Sequence, residues 1–309
     1  MIHRLLLSLL LCAAAPVLAQ DAQPLPNRFA NSVVAAERFD VGATLVERHG
    51  QRGSPLIFIP GLASGSWAWQ AAVRRFSGEH MVYVLTFPGF DGRPATEGAG
   101  LAAAQQSVLD LIASRKLRRP VLVGHGLGGA IALALGAQAA PLIGGVVSLD
   151  GLPVTPGTEE WDAERRASTQ GATGKRALAP TPALFASQQQ EYMRGTGVLD
   201  MARADEVARL AARSDPQAVS RYMAESIALD VRSALPGITA PVLLISPYFT
   251  LDAEQLRMTE EAKTSYYRAL MEGTPSVRVV SVAPARHFAM IDQPDQVNDA
   301  IAEFIRPLK

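Results

Sequence analysis

A single cysteine, Cys12, is all the thiol chemistry in 309 residues, and it lies in an N-terminal leader. Removal of that leader takes disulfides, a thiol nucleophile and cysteine metal ligation with it. Neither charge sign prevails, because Lys and Arg together number 29 and Asp and Glu 29. That balance points neither to nucleic acid nor to an acidic surface as a partner. No apolar run reaches the roughly twenty residues of a transmembrane helix, so no stable membrane anchor is expected. No metal-ligand cluster, phosphate loop or cofactor motif occurs. The expected partner is a small molecule, with no cofactor and no metal.

What is present begins with "MIHRLLLSLLLCAAAPVLA", residues 1–19. Arg4 supplies a positive start, Leu5 to Leu11 a short apolar core, and Val17-Leu18-Ala19 a small-residue cleavage site. These features predict a signal peptide over 1–19, cleaved after Ala19, and a secreted or periplasmic protein. Residues 20–309 then form a single domain. At 48% hydrophobic and 19% charged residues, its composition is that of an ordinary globular protein.

"SVVAAERFDVGATLVERHG" alternates as one or two strands ending at Gly50. "PLIFIPG", "HMVYVLTFPG", "RPVLVG" and "GGVVSLDG" are continuous apolar runs, the mark of strands buried on both faces. Helical spacing separates them in "SWAWQAAVRRF", "GLAAAQQSVLDLIASRKL" and "GGAIALALGAQAA". Such alternation predicts an α/β fold, a mostly parallel central sheet with helices on both faces. The pattern stops near Leu152 and resumes with "APVLLIS" (240–246) and "VRVVSV" (277–282). Helices are expected around Leu256 to Met271 and from Asp295 to Ile305. Between the two parts, about 153–236, helical periodicity without strand runs predicts a cap over the strand ends. Residues 157–183 read as mixed, partly loop. "DMARADEVARLAARS" and "DPQAVSRYMAESIALDV" read as helices, the second opened by Asp215 as N-cap and Pro216 in its first turn.

Three stretches in order, "FIPGLASGSWAW", "VLVGHGLGG" and "ARHFAMIDQPDQVNDAIAEFI", resemble the oxyanion loop, nucleophile elbow and histidine segment of the α/β-hydrolase family. The resemblance implies an α/β-hydrolase fold with a helical cap, and hydrolysis of esters or similar acyl bonds in small apolar substrates. Gly124 and Gly128 flank the elbow centre as the sharp strand-to-helix turn requires. The centre itself, where the family carries its nucleophile serine, is Gly126. His287 falls at the triad histidine. The acid is Asp150, at the end of a strand, or Asp252, near the family's usual position; Asp150 is preferred. The plainer readings are that Asp150 orders a turn with Gly151 and Asp252 caps a helix. The backbone N–H groups of Leu62 and Leu127 correspond to an oxyanion hole.

Trp67, Trp69, Phe90, Trp161, Tyr192 and Met193 are pocket or core residues by this reading, with core the commoner use. His49 and His80 are expected at the surface, and His125 in local packing. Ser64 and Ser66 are poor substitutes for the serine, since their side chains would have to replace one projecting from another strand. A dinucleotide fingerprint is excluded because no ribose-binding acid follows a second strand. The functional expectation is a hydrolase weak or inactive by the serine route, with His287 free to activate water. The alternative is a protein without catalysis that binds a small hydrophobic carbonyl or acyl ligand.

Overall fold

The computed structural model describes residues 29, 32–177, 181–255 and 257–308, so the leader 1–19 lies outside them. Eight strands form one sheet: β1 (Glu37–Val41), β2 (Thr44–His49), β3 (Pro55–Ile59), β4 (Met81–Thr86), β5 (Val121–His125), β6 (Gly145–Leu149), β7 (Val242–Pro247) and β8 (Val277–Val282). Their order is β1-β2-β4-β3-β5-β6-β7-β8. β1 and β2 pair as an antiparallel hairpin, Val41 opposite Thr44, around Gly42 at φ +57°. β2 is also antiparallel to β4, and all remaining pairs are parallel. Every residue of β3, β5, β6 and β7 is buried, as their unbroken apolar runs require.

Parallel pairing demands crossovers, which α1 (Gln70–Phe76), α2 (Leu101–Ser114) and α3 (Leu127–Gln138) supply among β3, β4, β5 and β6. Between β6 and β7 the chain leaves the sheet for α4 (Ala163–Ala177), α5 (Pro182–Tyr192), α6 (Met201–Ala211) and α7 (Pro216–Ala228). After β7 come α8 (Thr250–Gln255) and α9 (Glu260–Leu270), and after β8 come α10 (Ala289–Asp292) and α11 (Pro294–Ile305). Among the described residues no helix is long and apolar enough to cross a membrane.

Capping explains where these helices start. Asp215 accepts from Ala218 N–H at 2.7 Å with Pro216 just inside α7, as the sequence predicts. Within stretch 157–183, residues 157–162 lie outside any helix, 163–177 form α4, and 182–183 open α5. Asp162 accepts from Arg165 N–H at 2.7 Å at the head of α4, and Thr181 from Leu184 N–H at 3.2 Å at the head of α5. The helix expected from Leu256 begins only at Glu260, where Thr259 caps Ala262 N–H at 3.1 Å.

Two histidines depart from expectation. His49 is 1% exposed and His80 8%, so neither is a surface residue. On β2 Thr44, Glu47 and His49 are buried, while Arg48 is half-buried. Burial pushes the His49 imidazole below its usual range, against the pull of Glu47. The His80 Nδ1 meets Ser54 carbonyl at 3.2 Å, and its ring stands edge-on to Phe76.

The loop after β4 holds a strained, half-buried acid. Asp91 has φ +48°, and its Oδ1 lies 3.5 Å from Arg213 Nη1 with no hydrogen bond. Burial pushes its carboxyl up to about 6, with Arg213 opposing and Glu47 adding to the shift. The folded chain therefore holds this proton more tightly than the unfolded chain, and stability falls as pH rises from about 4 through 6. Asn tolerates the same backbone region. Asp91→Asn is expected to raise stability by about 1–3 kcal/mol at pH 8, and by nothing at pH 4. Urea unfolding at both pH values checks it; a loss of stability at pH 8 contradicts the account.

Candidate active site

β5 ends at His125, and α3 starts two residues later at Leu127. So abrupt a turn throws Gly126 to φ +50° and ψ −115°, a conformation that glycine adopts with little strain. Close packing sets Gly124 as well, because a Cβ there would collide with the Gly128 carbonyl. Gly126 N–H donates to Leu149 carbonyl at 2.9 Å, which pins the turn to β6. A Cβ on Gly126 would stand 2.9 Å from Nε2 and 3.0 Å from Cε1 of His287. Any side chain at 126 would point at that imidazole.

His287 sits in the connection between β8 and α10, where no regular structure holds it. Its position comes instead from bonds to three other parts of the chain. Its N–H donates to Thr196 carbonyl at 3.2 Å and that of Phe288 to Gly197 carbonyl at 2.9 Å, both acceptors in the turn after α5. From below, His125 Nε2–H donates to the His287 carbonyl at 3.0 Å. Asp292 completes the frame, accepting from Leu199 N–H at 3.0 Å and Arg286 N–H at 2.9 Å. His125 is 0% exposed, and burial, then the neighbouring His287, hold its pKa well below the usual value. It therefore stays a neutral donor, with Nδ1 against the backbone of Gly61.

His287 Nδ1–H donates to Asp150 Oδ2 at 2.6 Å. Asp150 leaves β6 at φ +51°, its own N–H held by Ile245 carbonyl at 3.0 Å. Burial pushes its carboxyl up, yet the hydrogen bond and charge of His287, Lys263 and the Tyr267 hydroxyl outweigh this and hold it below the usual range. It is thus an anion that can only accept, which places an imidazole proton on Nδ1 and turns the Nε2 edge toward Gly126. Asp252 is not at this site. Its carboxylate, 43% exposed on α8, makes a two-pronged pair with Arg286 Nε and Nη2 at 2.8 Å each.

A cavity of about 290 Å³ opens beside His287. Leu62, Phe185, Tyr192, Met193, Val219 and Met223 give it an apolar wall, with Gln188 and Gln189 as its polar members. Leu62 follows the end of β3, and Leu127 is the first residue of α3, whose opening N–H groups have no intrahelical acceptor. Of the aromatic and Met candidates, Tyr192 and Met193 line this cavity. Trp67 packs on Phe288, Trp69 on Phe58 and Phe90 on Tyr222, all in the core, while Trp161 borders a separate surface depression. Ser64 is buried, and its hydroxyl donates to Gly61 carbonyl at 2.9 Å. Phe185, Val219, Met223 and Tyr267 carry no motif, since each reads as helical core until the chain brings it here.

The profile of the alpha/beta hydrolase family matches residues 56–300. Over 261 residues the chain is 26% identical to 2-succinyl-6-hydroxy-2,4-cyclohexadiene-1-carboxylate synthase of Salmonella agona, covering 83% of this chain and 96% of that one. Among solved structures, a thermophilic esterase from Thermogutta terrifontis superposes with TM-score 0.70 at 18% identity, over 88% of this chain and 99% of the other. An enol-lactonase from Burkholderia xenovorans gives 0.65 at 21% identity, over 87% and 99%.

The two acids are separable by proton NMR. Asp150→Asn is expected to abolish the low-field Nδ1–H resonance of His287, whereas Asp252→Asn leaves it in place. The opposite pattern would show that the imidazole takes its partner from α8.

Proposed function

The chain belongs to the alpha/beta hydrolase family, and on that premise we propose that it takes a small, largely apolar ester or related acyl compound into the cavity beside His287. One observation carries the chemistry: Gly126 faces His287 Nε2 with no side chain between them. Gly126 offers no nucleophile, so the acyl-enzyme route of serine members is closed. His287, oriented by Asp150, is the reacting base. It takes a proton from water while the resulting hydroxide attacks the carbonyl carbon, and it returns that proton to the leaving oxygen as the tetrahedral adduct collapses. The N–H groups of Leu62 and Leu127 receive the oxyanion. Loss of the serine from such a site costs on the order of a millionfold in turnover, leaving roughly 10³–10⁴ over water from binding and oxyanion stabilisation. Slow hydrolysis is the consequence.

The apolar lining and the missing nucleophile also support a second reading, a site that holds an acyl or carbonyl ligand without turning it over. We further propose export, with the leader 1–19 cleaved so that the mature chain starts at Gln20. N-terminal sequencing of protein expressed with its own leader checks this; an intact Met1 would contradict it.

A short-chain nitrophenyl ester separates the catalytic readings. The protein is expected to hydrolyse it slowly, and His287→Ala to abolish that rate. Gly126→Ser is expected to raise turnover by about 10³-fold or more, in a manner lost again in Gly126→Ser/His287→Ala. The serine also forces a non-glycine residue to φ +50°, so the same variant should lose about 1–2 kcal/mol of stability in urea. Turnover that survives His287→Ala defeats the base reading. A folded Gly126→Ser that gains nothing excludes this ester class and leaves the binding reading.

A further inference from the structure

Behind the Asp150–His287 pair stands a residue that this chemistry does not yet employ. Tyr267 is 5% exposed on α9, and its hydroxyl donates to Asp150 Oδ1, the oxygen that His287 leaves free. One turn earlier on the same helix, Lys263 donates to Pro247 carbonyl and lies 5.5 Å from the Tyr267 ring centroid. We infer that Tyr267 is a positioning residue, whose hydroxyl fixes the second oxygen of Asp150 and so sets how strongly that carboxylate holds a proton on His287. The inference rests on the reading of His287 as the base.

Two physical effects carry it. A buried carboxylate with one donor is free to swing about its terminal torsion, whereas donors on both oxygens fix its plane against the imidazole. The second effect is electronic: a donor on Oδ1 draws on the charge that Oδ2 presents to His287. Burial, then the charge of Asp150 and the bond to it, push the Tyr267 phenol well above its usual range, so it remains protonated and donating. Without that donor, Asp150 turns its full charge on His287 and favours the imidazolium, which cannot act as a base.

The other groups facing the pair leave this dependence visible. His125 beneath is neutral, Lys263 acts on Asp150 by charge alone, and Tyr192 stands edge-on to the His287 ring at 6.3 Å. Tyr266, next along α9, donates to Glu159 instead. It therefore serves as a control for disturbance of the helix.

The test is a pH titration of the His287 Cε1–H resonance in the whole protein, assigned by its disappearance in His287→Gln. In Tyr267→Phe the titration is expected about 0.5 pH or more higher, and in Tyr266→Phe unchanged. Difluorotyrosine at 267 keeps the shape and strengthens the donor, and it is expected to move the titration lower. An unmoved His287 titration in a folded Tyr267→Phe overturns the inference. Should that variant not fold, the fluorinated protein decides alone: a lower titration supports the positioning role, and an unchanged one refutes it. Because the readout is a proton resonance, failure to hydrolyse esters and failure of this inference are told apart.

Discussion

Burial of β3, β5, β6 and β7 on both faces is the constraint from which the site follows. Strands so covered pair in parallel, every connection crosses over through a helix, and the carboxyl ends fall along one edge. Leu62 after β3, Gly126 after β5, Asp150 after β6 and His287 after β8 are therefore neighbours, though far apart in sequence. The hydrogen bonds that align them are backbone bonds between adjacent ends, Gly126 N–H to Leu149 and Asp150 N–H to Ile245. Mutual placement of the chemical groups is thus a by-product of sheet pairing and needs no separate device.

His287 is the exception, since its segment has no partner strand at that point. Its backbone N–H is held by Thr196 from the helical insertion and its carbonyl by His125 from the elbow. The insertion therefore frames the imidazole as well as roofing the cavity. Movement of the turn after α5 would drag the His287 backbone with it, so this part of the insertion belongs to the rigid site. Asp292 ties the same turn to the loop ahead of His287, which makes the coupling double.

What could be read from the sequence followed the reach of the interactions involved. The elbow and the parallel sheet were legible because glycine spacing and unbroken apolar runs record local constraints. The choice between Asp150 and Asp252 could not be settled locally, because each follows a strand end, Asp150 directly after β6 and Asp252 on the short helix α8 after β7. It turns on Tyr267 and Arg286, partners 117 and 34 residues away. His49, on β2, and His80, in the turn before β4, are buried for a related reason, since a polar residue is covered or exposed according to neighbours that its own segment does not encode. α4 was obscured by its polar composition; a capping aspartate, Asp162, marks its start better than hydropathy does.

The energetics of the site argue that it is more than a relic of packing. Gly126 relieves the strain that any other residue would suffer at φ +50°, so the elbow gains stability from lacking a side chain. The groups around it do the reverse. Asp150 is a half-buried anion, His125 is a buried imidazole with Nδ1 unbonded, and well-packed apolar residues of similar volume would often suit the fold as well or better. Buried ionisable groups with shifted pKa values gather where chemistry or recognition uses them. Here His287 and Tyr267 both donate to one carboxylate, and the Asp150 N–H donates in turn to the Ile245 carbonyl, which fixes its backbone. The result is the Nε2 edge of an imidazole aimed at the elbow, an orientation that packing alone does not require.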